Sequence, residues 1–357
     1  MLDEFIHFGA DEDIRIDAKP HIGTDRLLRI LEKMRMEILS YGGIFHYETK
    51  LEGLSRKTDD IFRLSLSEGR ELAAGAVVLA IGNGARDTFP MLLETGLPME
   101  QKPFAVGLRI EHPQDFIDRN AYGRTAQEAG LSPSPYKVTA KTPMGRGVYS
   151  FCMCPGGYVI NASSQKEALV VNGMSYHDRG SGNANSAIVV TVSEKDFGGS
   201  SPLAGSLFQE SLEKKAYRLA GGKIPQQYLG DFLEGKSSAS SPKGGFSSCT
   251  KGAAEFCSLK GLFPEEIEEA LKCGLAQFGK EIPGFDRADA ILSGVESRTS
   301  SPVRISRDER MESVMQGIYP CGEGAGYAGG IVSAGMDGLK CAQAIAHRFA
   351  PEDPIQG

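Results

Sequence analysis

Apolar residues near the start of this chain recur first with a helical period and then with the period of strands. Between residues 24 and 40 they return every three or four positions, which predicts an amphipathic helix with Thr24 as its N-cap. The predicted apolar face comprises Leu27, Leu28, Leu31, Met34 and Ile38. Two short alternating runs follow, separated by turn-forming Asp59-Asp60, and predict strands of a meander with one face in water.

The run AVVLAI, residues 76–81, has a different pattern from the strands before it. It is continuously apolar and ends at Gly82. Such a run is typical of a strand in a parallel sheet that is buried on both faces. We expect it to lie in one sheet with GIYPC, residues 317–321, a short apolar run near the end of the chain.

From about residue 96 the pattern becomes rich in strands. Runs such as FAVGLRIEH and SAIVVTVS are separated by Gly, Pro and Asn. Helical spacing returns only at residues 202–222 and again at 264–282, where a proline and early acids favour a helix start. The Ser-, Gly- and Lys-rich tract at 234–252 is predicted to be a mobile surface loop. We therefore predict a second, strand-rich domain.

Composition and charge narrow the class of protein. Of 357 residues, 41% are hydrophobic and 24% charged, as in globular proteins, and the net charge of −7 argues against nucleic acid as a partner. The chain has no apolar run of membrane-spanning length, and its first residues are acidic, unlike a signal peptide. We expect a soluble cytoplasmic protein without a membrane partner. Seven cysteines without a CxxC pair argue against a disulfide scaffold, a zinc site or another metal site.

The stretch Gly317 to Gly338 contains eight glycines within 22 residues. It joins the strand-like GIYPC to a helical pattern that begins at Ile331, so the glycines occupy a strand-to-helix turn. Free backbone N–H groups and the positive end of a helix dipole would favour an anion or an electron-rich ring there. Glu323, flanked by glycines, could accept a hydrogen bond from a sugar or polyol hydroxyl. A tight turn with close helix packing would also require glycine.

Several long motifs together resemble a bacterial family of FAD-dependent dehydrogenases. These motifs are VVLAIG, KPFAVGLRIEHPQ, GRGVYSFCMCPGG, NGMSYHDRGSGNANSA, GVESRTSSPVR and YPCGEGAGYAGGIVSAGMDG. The resemblance extends from about Phe8 to Ala346 and implies the fold of flavoproteins with two dinucleotide-binding domains, like glutathione reductase. It implies an α/β fold in which a Rossmann-like FAD-binding domain, residues 1–95 and 306–357, carries an inserted strand-rich α+β substrate domain, residues 96–305.

The resemblance also implies FAD as the cofactor and assigns it residues. Gly82 would lie against FAD, Glu323 would bond the ribityl chain, and the following turn and helix start would approach the pyrimidine side of the flavin. Glu323 stands where most of the wider superfamily has Asp. The implied cofactor-binding residues are Gly82, Gly322, Glu323, Gly324, Ala325, Gly326, Gly329, Gly330 and Ile331.

The first nucleotide-binding unit of such flavoproteins is missing from this sequence. Residues 1–60 contain no G-x-G-x-x-G turn between a strand and a helix. Gly324, Gly326 and Gly329 satisfy the pattern, but no second strand with an acid follows them. We therefore expect a truncated FAD domain that binds FAD weakly or not at all. The resemblance implies an oxidoreductase, and the alternative is a non-catalytic, flavin- or nucleotide-binding regulatory module.

Two further sets of residues are candidates for chemistry. Cys152 and Cys154 alternate along a predicted strand, so their thiols would share one face and could react beside a flavin; two small buried residues would look the same. Arg298 and Arg304 could bind a carboxylate or phosphate of a small substrate, although a solvated charged strand would also contain them. The sequence leaves open the substrate, the electron donor and acceptor, any use of NAD(P)H and the oligomeric state.

Overall fold

The computed structural model describes residues 1–17, 20–58, 61–238 and 245–350. Within these ranges the α-helices are α1 Leu2–His7, α2 Thr24–Ser40, α3 Thr88–Glu94, α4 Gln114–Tyr122, α5 Ala126–Ala129, α6 Glu194–Phe197, α7 Ala204–Leu219, α8 Leu229–Glu234, α9 Glu265–Glu281 and α10 Ile331–Arg348. The strands are β1 Leu51–Thr58, β2 Ile61–Leu66, β3 Glu71–Ala74, β4 Val77–Leu79, β5 Met99–Gln101, β6 Phe104–Pro113, β7 Thr139–Lys141, β8 Gly147–Cys154, β9 Tyr158–Asn161, β10 Val171–Met174, β11 Asn183–Val192, β12 Ile224–Tyr228, β13 Thr250–Lys251, β14 Ala254–Phe256, β15 Ile291–Glu296, β16 Val303–Ile305 and β17 Ile318–Pro320.

A seven-stranded sheet in the order β14-β12-β15-β6-β11-β8-β7 dominates this mixed α/β structure. Its centre is the antiparallel pair β6 and β11, in register from Phe104 opposite Val192 to Pro113 opposite Asn183. Nearly every residue of both strands is buried, because the sheet is covered on both faces. The predicted strand-rich region is therefore present.

Helix α9 covers one face of the large sheet and illustrates how its core forms. Ile267, Leu271, Leu275 and Phe278 recur at helical spacing and are at most 1% exposed. Burying each of these side chains contributes about 1.5–3 kcal/mol relative to exposure. On the opposite face lies a small buried cluster of Ala105, Ala187 and Val189, against which the partly buried Tyr149 and Phe151 pack.

A second core surrounds the two strands that the sequence analysis placed in one sheet. Strands β4 and β17 pair in parallel, with Ile318 opposite Val77, although about 240 residues separate them along the chain. This prediction is confirmed. The predicted meander is also present as the antiparallel sheet β1-β2-β3, which packs on the same core through Leu54 and Phe62.

Helix α2 forms where predicted, but its cap and buried face differ from the prediction. Gly23, at φ +88°, is the N-cap, while the Thr24 hydroxyl bonds the carbonyl of Ser175 instead of capping the helix. Ile30 is buried, whereas Leu28 and Ile38 of the predicted apolar face are 65% and 48% exposed.

The predicted mobile loop at 234–252 is anchored at its described ends. Residues 239–244 lie outside the described residues. Ser248 and the backbone of Cys249 donate to buried Glu111 at 2.6 and 2.7 Å, and β13 pairs with β9. A buried carboxylate therefore fixes the second half of this tract to the large sheet. Among the helices described, none has both the length and the apolar character needed to cross a lipid bilayer.

Candidate functional site

The turn between β17 and α10 contains glycines of two kinds. Gly322 and Gly326 have φ of +72° and +86°, which disfavours any side chain. A Cβ at Gly326 would lie 2.6 Å from the carbonyl oxygen of Val303, and one at Gly324 would lie 2.4 Å from that of Gly82. These glycines are therefore required by the close approach of the protein's own backbone, as a tight turn requires.

Gly329 and Gly330, by contrast, border open space. A Cβ at Gly329 would meet no heavy atom within 4 Å, and one at Gly330 would meet only the Ser333 hydroxyl, at 3.9 Å. Both glycines are exposed, and Ile331 after them is 63% exposed. They form the start of α10, an 18-residue helix whose first-turn amides have no partner within the helix. The positive end of the helix dipole thus faces open space.

Glu323 lies in this turn with its carboxylate half-buried. Burial raises the pKa of Glu323, and nearby Lys102 offsets part of that rise. None of the described residues donates a hydrogen bond to its side-chain oxygens. The carboxylate can therefore accept a hydrogen bond from a bound hydroxyl group.

Gly82 lies directly beside the glycine turn, as the parallel pairing of β4 and β17 requires. Its φ is +66°, and its own Cβ position is open. Gly324 packs against its backbone, so the two predicted cofactor segments meet at the carboxyl ends of the two strands. Ala325, which belongs to the same predicted set, has its side chain in the second core.

A buried ion pair fixes the turn to α10. Arg307 bonds both carboxylate oxygens of Asp337 at 2.7 and 2.9 Å, and Asp337 also accepts from the Gly322 amide at 2.8 Å. Burial acts to raise the pKa of Asp337, but these donors outweigh it and the pKa is lowered. The sequence analysis missed Asp337, although it is one of only two acids in the glycine-rich stretch.

Cys321 and Cys341 lie beside Asp337, and the potential ligand atoms of all three are within 4.8 Å of one another. Burial raises the pKa of Cys321 to about 12, so this thiol is protonated at neutral pH. Both oxygens of Asp337 are already bonded to Arg307, so a cation would have to displace that arginine.

The two predicted substrate arginines lie in separate clusters. Arg304 lies over the ring of Tyr327 at 5.1 Å, beside the glycine turn. Arg298 bonds Glu213 on α7 at 2.9 and 3.0 Å, and Arg86 from the loop after β4 bonds the same carboxylate at 2.7 and 2.8 Å. Two arginines therefore share one buried acid, which ties the Gly82 loop to the strand-rich region.

Cys152 and Cys154 lie at an irregularity of β8, which interrupts the alternation expected from the sequence. Phe151 lies opposite Ala187 of β11, and Cys154 lies opposite Asn185. Between these pairs, two residues of β8 therefore oppose one residue of β11. The backbone of Cys152 has a φ of +43°. Alternation along the strand therefore does not by itself place the two thiols on one face of β8. Desolvation raises the pKa of Cys152 to about 11, although part of the side chain reaches the surface.

A fully buried arginine, Arg109, lies next to both thiols. It donates to the carbonyl of Cys152 and, at 3.4 Å, to the sulfur of Cys154, and it bonds Asn185 at 2.7 Å and Glu296 at 3.2 Å. The sequence analysis missed it, although an arginine inside the buried run FAVGLRIEH is an unusual residue for such a strand. Its role in the structure is to hold β8 at the irregularity.

The described residues fit the flavin end of an FAD molecule. The open start of α10, the partner-free carboxylate of Glu323 and the open Cβ side of Gly82 lie at one edge of the parallel pair. Bare amides suit a carbonyl oxygen of the flavin ring, and a free carboxylate suits a polyol hydroxyl.

The sequence model of the family described as "FAD-dependent protein, C-terminal domain-like" matches residues 103–299, more than half of the chain. An uncharacterised protein of Clostridium beijerinckii is 45% identical over 353 residues, which is 98% of this chain and 66% of that protein. The chain thus spans just under two thirds of the length of that relative.

Three solved structures show weak similarity. One titled as a salicylate hydroxylase substrate complex is 14% identical, with a TM-score of 0.25, over 47% of this chain and 33% of that one. FqzB is 13% identical, with a TM-score of 0.25, over 52% and 36%. The tetracycline destructase Tet(51) is 11% identical, with a TM-score of 0.26, over 74% and 59%. Because these TM-scores are low, the assignment of this chain to a family rests on the family model. The chain therefore belongs to the family of FAD-dependent proteins with this C-terminal domain, and its cofactor is FAD.

Proposed function

We propose that this chain forms the flavin-facing and substrate-facing parts of an FAD-dependent oxidoreductase with a glutathione-reductase-like arrangement. The observation that carries the proposal is the carboxylate of Glu323, half-buried and without a donor among the described residues, beside the open glycine start of α10. In this arrangement residues 1–95 and 306–357 form the FAD domain, and residues 96–305 form the inserted substrate domain.

The position of the site in the sheet supports this proposal. Ligands of open parallel sheets bind outside the carboxyl ends of the strands. Gly82 follows β4 and Gly322 follows β17 at that same edge, and the two segments touch through Gly324. Backbone without side chains at this edge allows a flat ring to approach closely.

Each residue of the site has a distinct task under this proposal. FAD, when bound, supplies the chemistry by accepting or donating a hydride or an electron pair. The first-turn amides of α10, from Ile331 onward, favour negative charge at the ring, and Glu323 orients a hydroxyl of the side chain of the cofactor. Asp337 and Arg307 hold the turn so that these groups keep their positions.

The remaining candidate residues belong to the substrate side of the proposal. Of the two predicted arginines, Arg304 lies at the turn, whereas Arg298 is engaged by Glu213. The sulfur of Cys154 accepts a hydrogen bond from Arg109 at 3.4 Å, whereas the raised pKa of Cys152 keeps that thiol protonated.

We also propose that FAD binds this chain weakly. The described residues supply contacts to the flavin side. Residues 1–60 contain no G-x-G-x-x-G turn of the kind that holds the pyrophosphate in such proteins, and the one between β17 and α10 is not followed by a second strand with an acid. Losing those contacts removes a large part of the binding free energy.

The test is FAD binding by equilibrium dialysis with wild type, Glu323→Ala and the exposed control Glu309→Ala. A hydrogen bond to a charged group contributes about 1.5–3 kcal/mol, so Glu323→Ala should weaken binding by about ten- to a hundredfold. The control should bind FAD like wild type. Equal affinity of all three proteins would contradict the proposed site. Turnover of a dye acceptor with NADH or NADPH then separates an enzyme from a flavin-binding module without activity.

A further inference from the structure

A small cavity lies between the large sheet and the start of α10. Its volume is about 220 Å³. Its lining includes Ala105, Tyr149 and Phe151 of the sheet and Gly329 of the turn before α10. The cavity thus borders both the apolar cluster around Ala105 and the turn that we assign to the flavin.

The chemistry of the cavity wall is apolar and neutral. Tyr149 is the only residue of the lining with an ionisable side chain, and burial raises its pKa, so it carries no charge at neutral pH. The Thr299 hydroxyl is already bonded to the carbonyl and amide of Ala105, at 2.8 and 3.2 Å. The hydroxyls of Tyr149 and Thr191 bond each other. None of the described residues hydrogen-bonds the Ser300 hydroxyl, which is therefore available to a ligand.

The size and charge of the cavity together restrict what it can bind. A cavity of roughly 150 Å³ lined by apolar side chains accommodates benzene, so 220 Å³ suits a somewhat larger molecule. An ionised ligand would lose its hydration without gaining a charged partner from the lining. Two partly exposed aromatic rings, Tyr149 and Phe151, favour a flat ligand that can stack on them or meet their edges.

We propose that this cavity is the substrate subsite and that it takes a neutral, flat, largely apolar molecule of one or two rings. The assignment as a substrate subsite rests on the proposed function, because Gly329 borders both the cavity and the flavin turn. The Ser300 hydroxyl would orient one polar substituent of that molecule. The arginines Arg298 and Arg304 do not line this cavity.

The test measures binding of 2-naphthol to the full chain by fluorescence, which is favourable because the protein has no tryptophan. Ala105→Leu fills the cavity, and Ala253→Leu adds the same side chain at an exposed position outside it. We expect saturable binding to wild type and to the control, and at least roughly tenfold weaker binding to Ala105→Leu. The charged analogue 2-naphthoate should bind more weakly than 2-naphthol.

Equal binding of 2-naphthol to wild type and Ala105→Leu, or equal binding of the naphthoate and the naphthol, would overturn the proposal. Circular dichroism shows whether Ala105→Leu is folded. If it is not folded, Ser300→Leu, at the partly exposed wall of the cavity, is tested instead. This variant should weaken the binding of 2-naphthol to the same extent, and an affinity equal to that of wild type would overturn the proposal.

A titration with FAD separates the two proposals. If FAD and 2-naphthol bind together, the cavity is distinct from the flavin position, as proposed. If FAD displaces 2-naphthol competitively, the cavity is part of the flavin bed, so the substrate subsite is wrong while the flavin site stands. If Ala105→Leu weakens the binding of 2-naphthol but FAD does not bind to the chain at all, the proposed function is wrong. The proposed class of ligand for the cavity is then still supported.

Discussion

Replacing Glu213 by Gln should destabilise the protein strongly, because this acid neutralises two buried arginines. The Glu213 side chain is 0% exposed, and those of Arg86 and Arg298 are 6% and 15% exposed. Glu213 accepts four hydrogen bonds from these arginines, between 2.7 and 3.0 Å, and a fifth from Ser297 at 2.6 Å. Removing one partner of a buried pair costs about 3–5 kcal/mol, since the other charge stays buried.

Urea unfolding followed by circular dichroism measures this cost. With a slope of about 3 kcal/mol per molar urea, a loss of about 3 kcal/mol moves the midpoint down by about 1 M. The matched control is Glu210→Gln on the same helix, where Glu210 pairs with Lys214 near the surface. Such an exposed pair contributes about 0.3–0.5 kcal/mol. If the urea midpoint of Glu213→Gln lies as close to that of wild type as the midpoint of the control does, the role assigned to this cluster is refuted.

Acid provides a second readout of the same cluster. Burial acts to raise the pKa of Glu213, but Arg298 and Arg86 outweigh it and lower the pKa below the usual 4.5. The stabilisation is therefore present above that value and is lost as the pH falls through the lowered pKa of the folded protein. The Gln variant should lose less stability than wild type over this range, and parallel curves for the two proteins would contradict the assignment.

Three further predictions concern the turn and the thiols. Gly326→Ala should destabilise the fold by at least about 1 kcal/mol, because Gly326 has a positive φ and a Cβ there would meet the backbone of β16, whereas Gly329→Ala should leave the free energy of unfolding unchanged. Asp337→Asn should lower the free energy of unfolding in urea by about 3 kcal/mol, because it leaves the buried charge of Arg307 without its partner. Because the pKa of Asp337 is lowered in the folded protein, this variant should also lose less stability than wild type in acid. In a complete flavoprotein with measurable turnover, Cys154→Ser should lower the rate more than Cys152→Ser, whose thiol stays protonated; unchanged turnover in both variants excludes the thiols from the mechanism.

Periodicity predicted much of the architecture because the relevant signals are local. The continuous apolar run before Gly82 and the short run before Cys321 both indicated buried parallel strands, and they do pair. Helices α7, α9 and α10 form where the apolar spacing predicted them, but only α9 buries its whole apolar face, whereas Ile331, Met336 and Leu339 of α10 are exposed. The strands and α9 could be predicted because each buries its own apolar pattern against a large neighbouring surface.

Features that depend on distant partners could not be predicted from the sequence. The irregularity at Cys152 lies in the pairing of β8 with β11, so alternation along the sequence alone could not determine the orientation of its thiol. Glu213 and Arg86 are 127 residues apart, and no local spacing connects them. The glycines of the turn looked alike in sequence, but the structure separates Gly324, which the backbone of the protein requires, from Gly329, which borders open space.

Hydrogen exchange of the full chain with and without excess FAD tests the central claim most directly. The account predicts that FAD slows exchange of the first-turn amides of α10, from Ile331 to Ser333, and leaves the start of α9 at Glu265–Ile267 unchanged. Saturable FAD binding with no change in exchange at Ile331–Ser333 would contradict it.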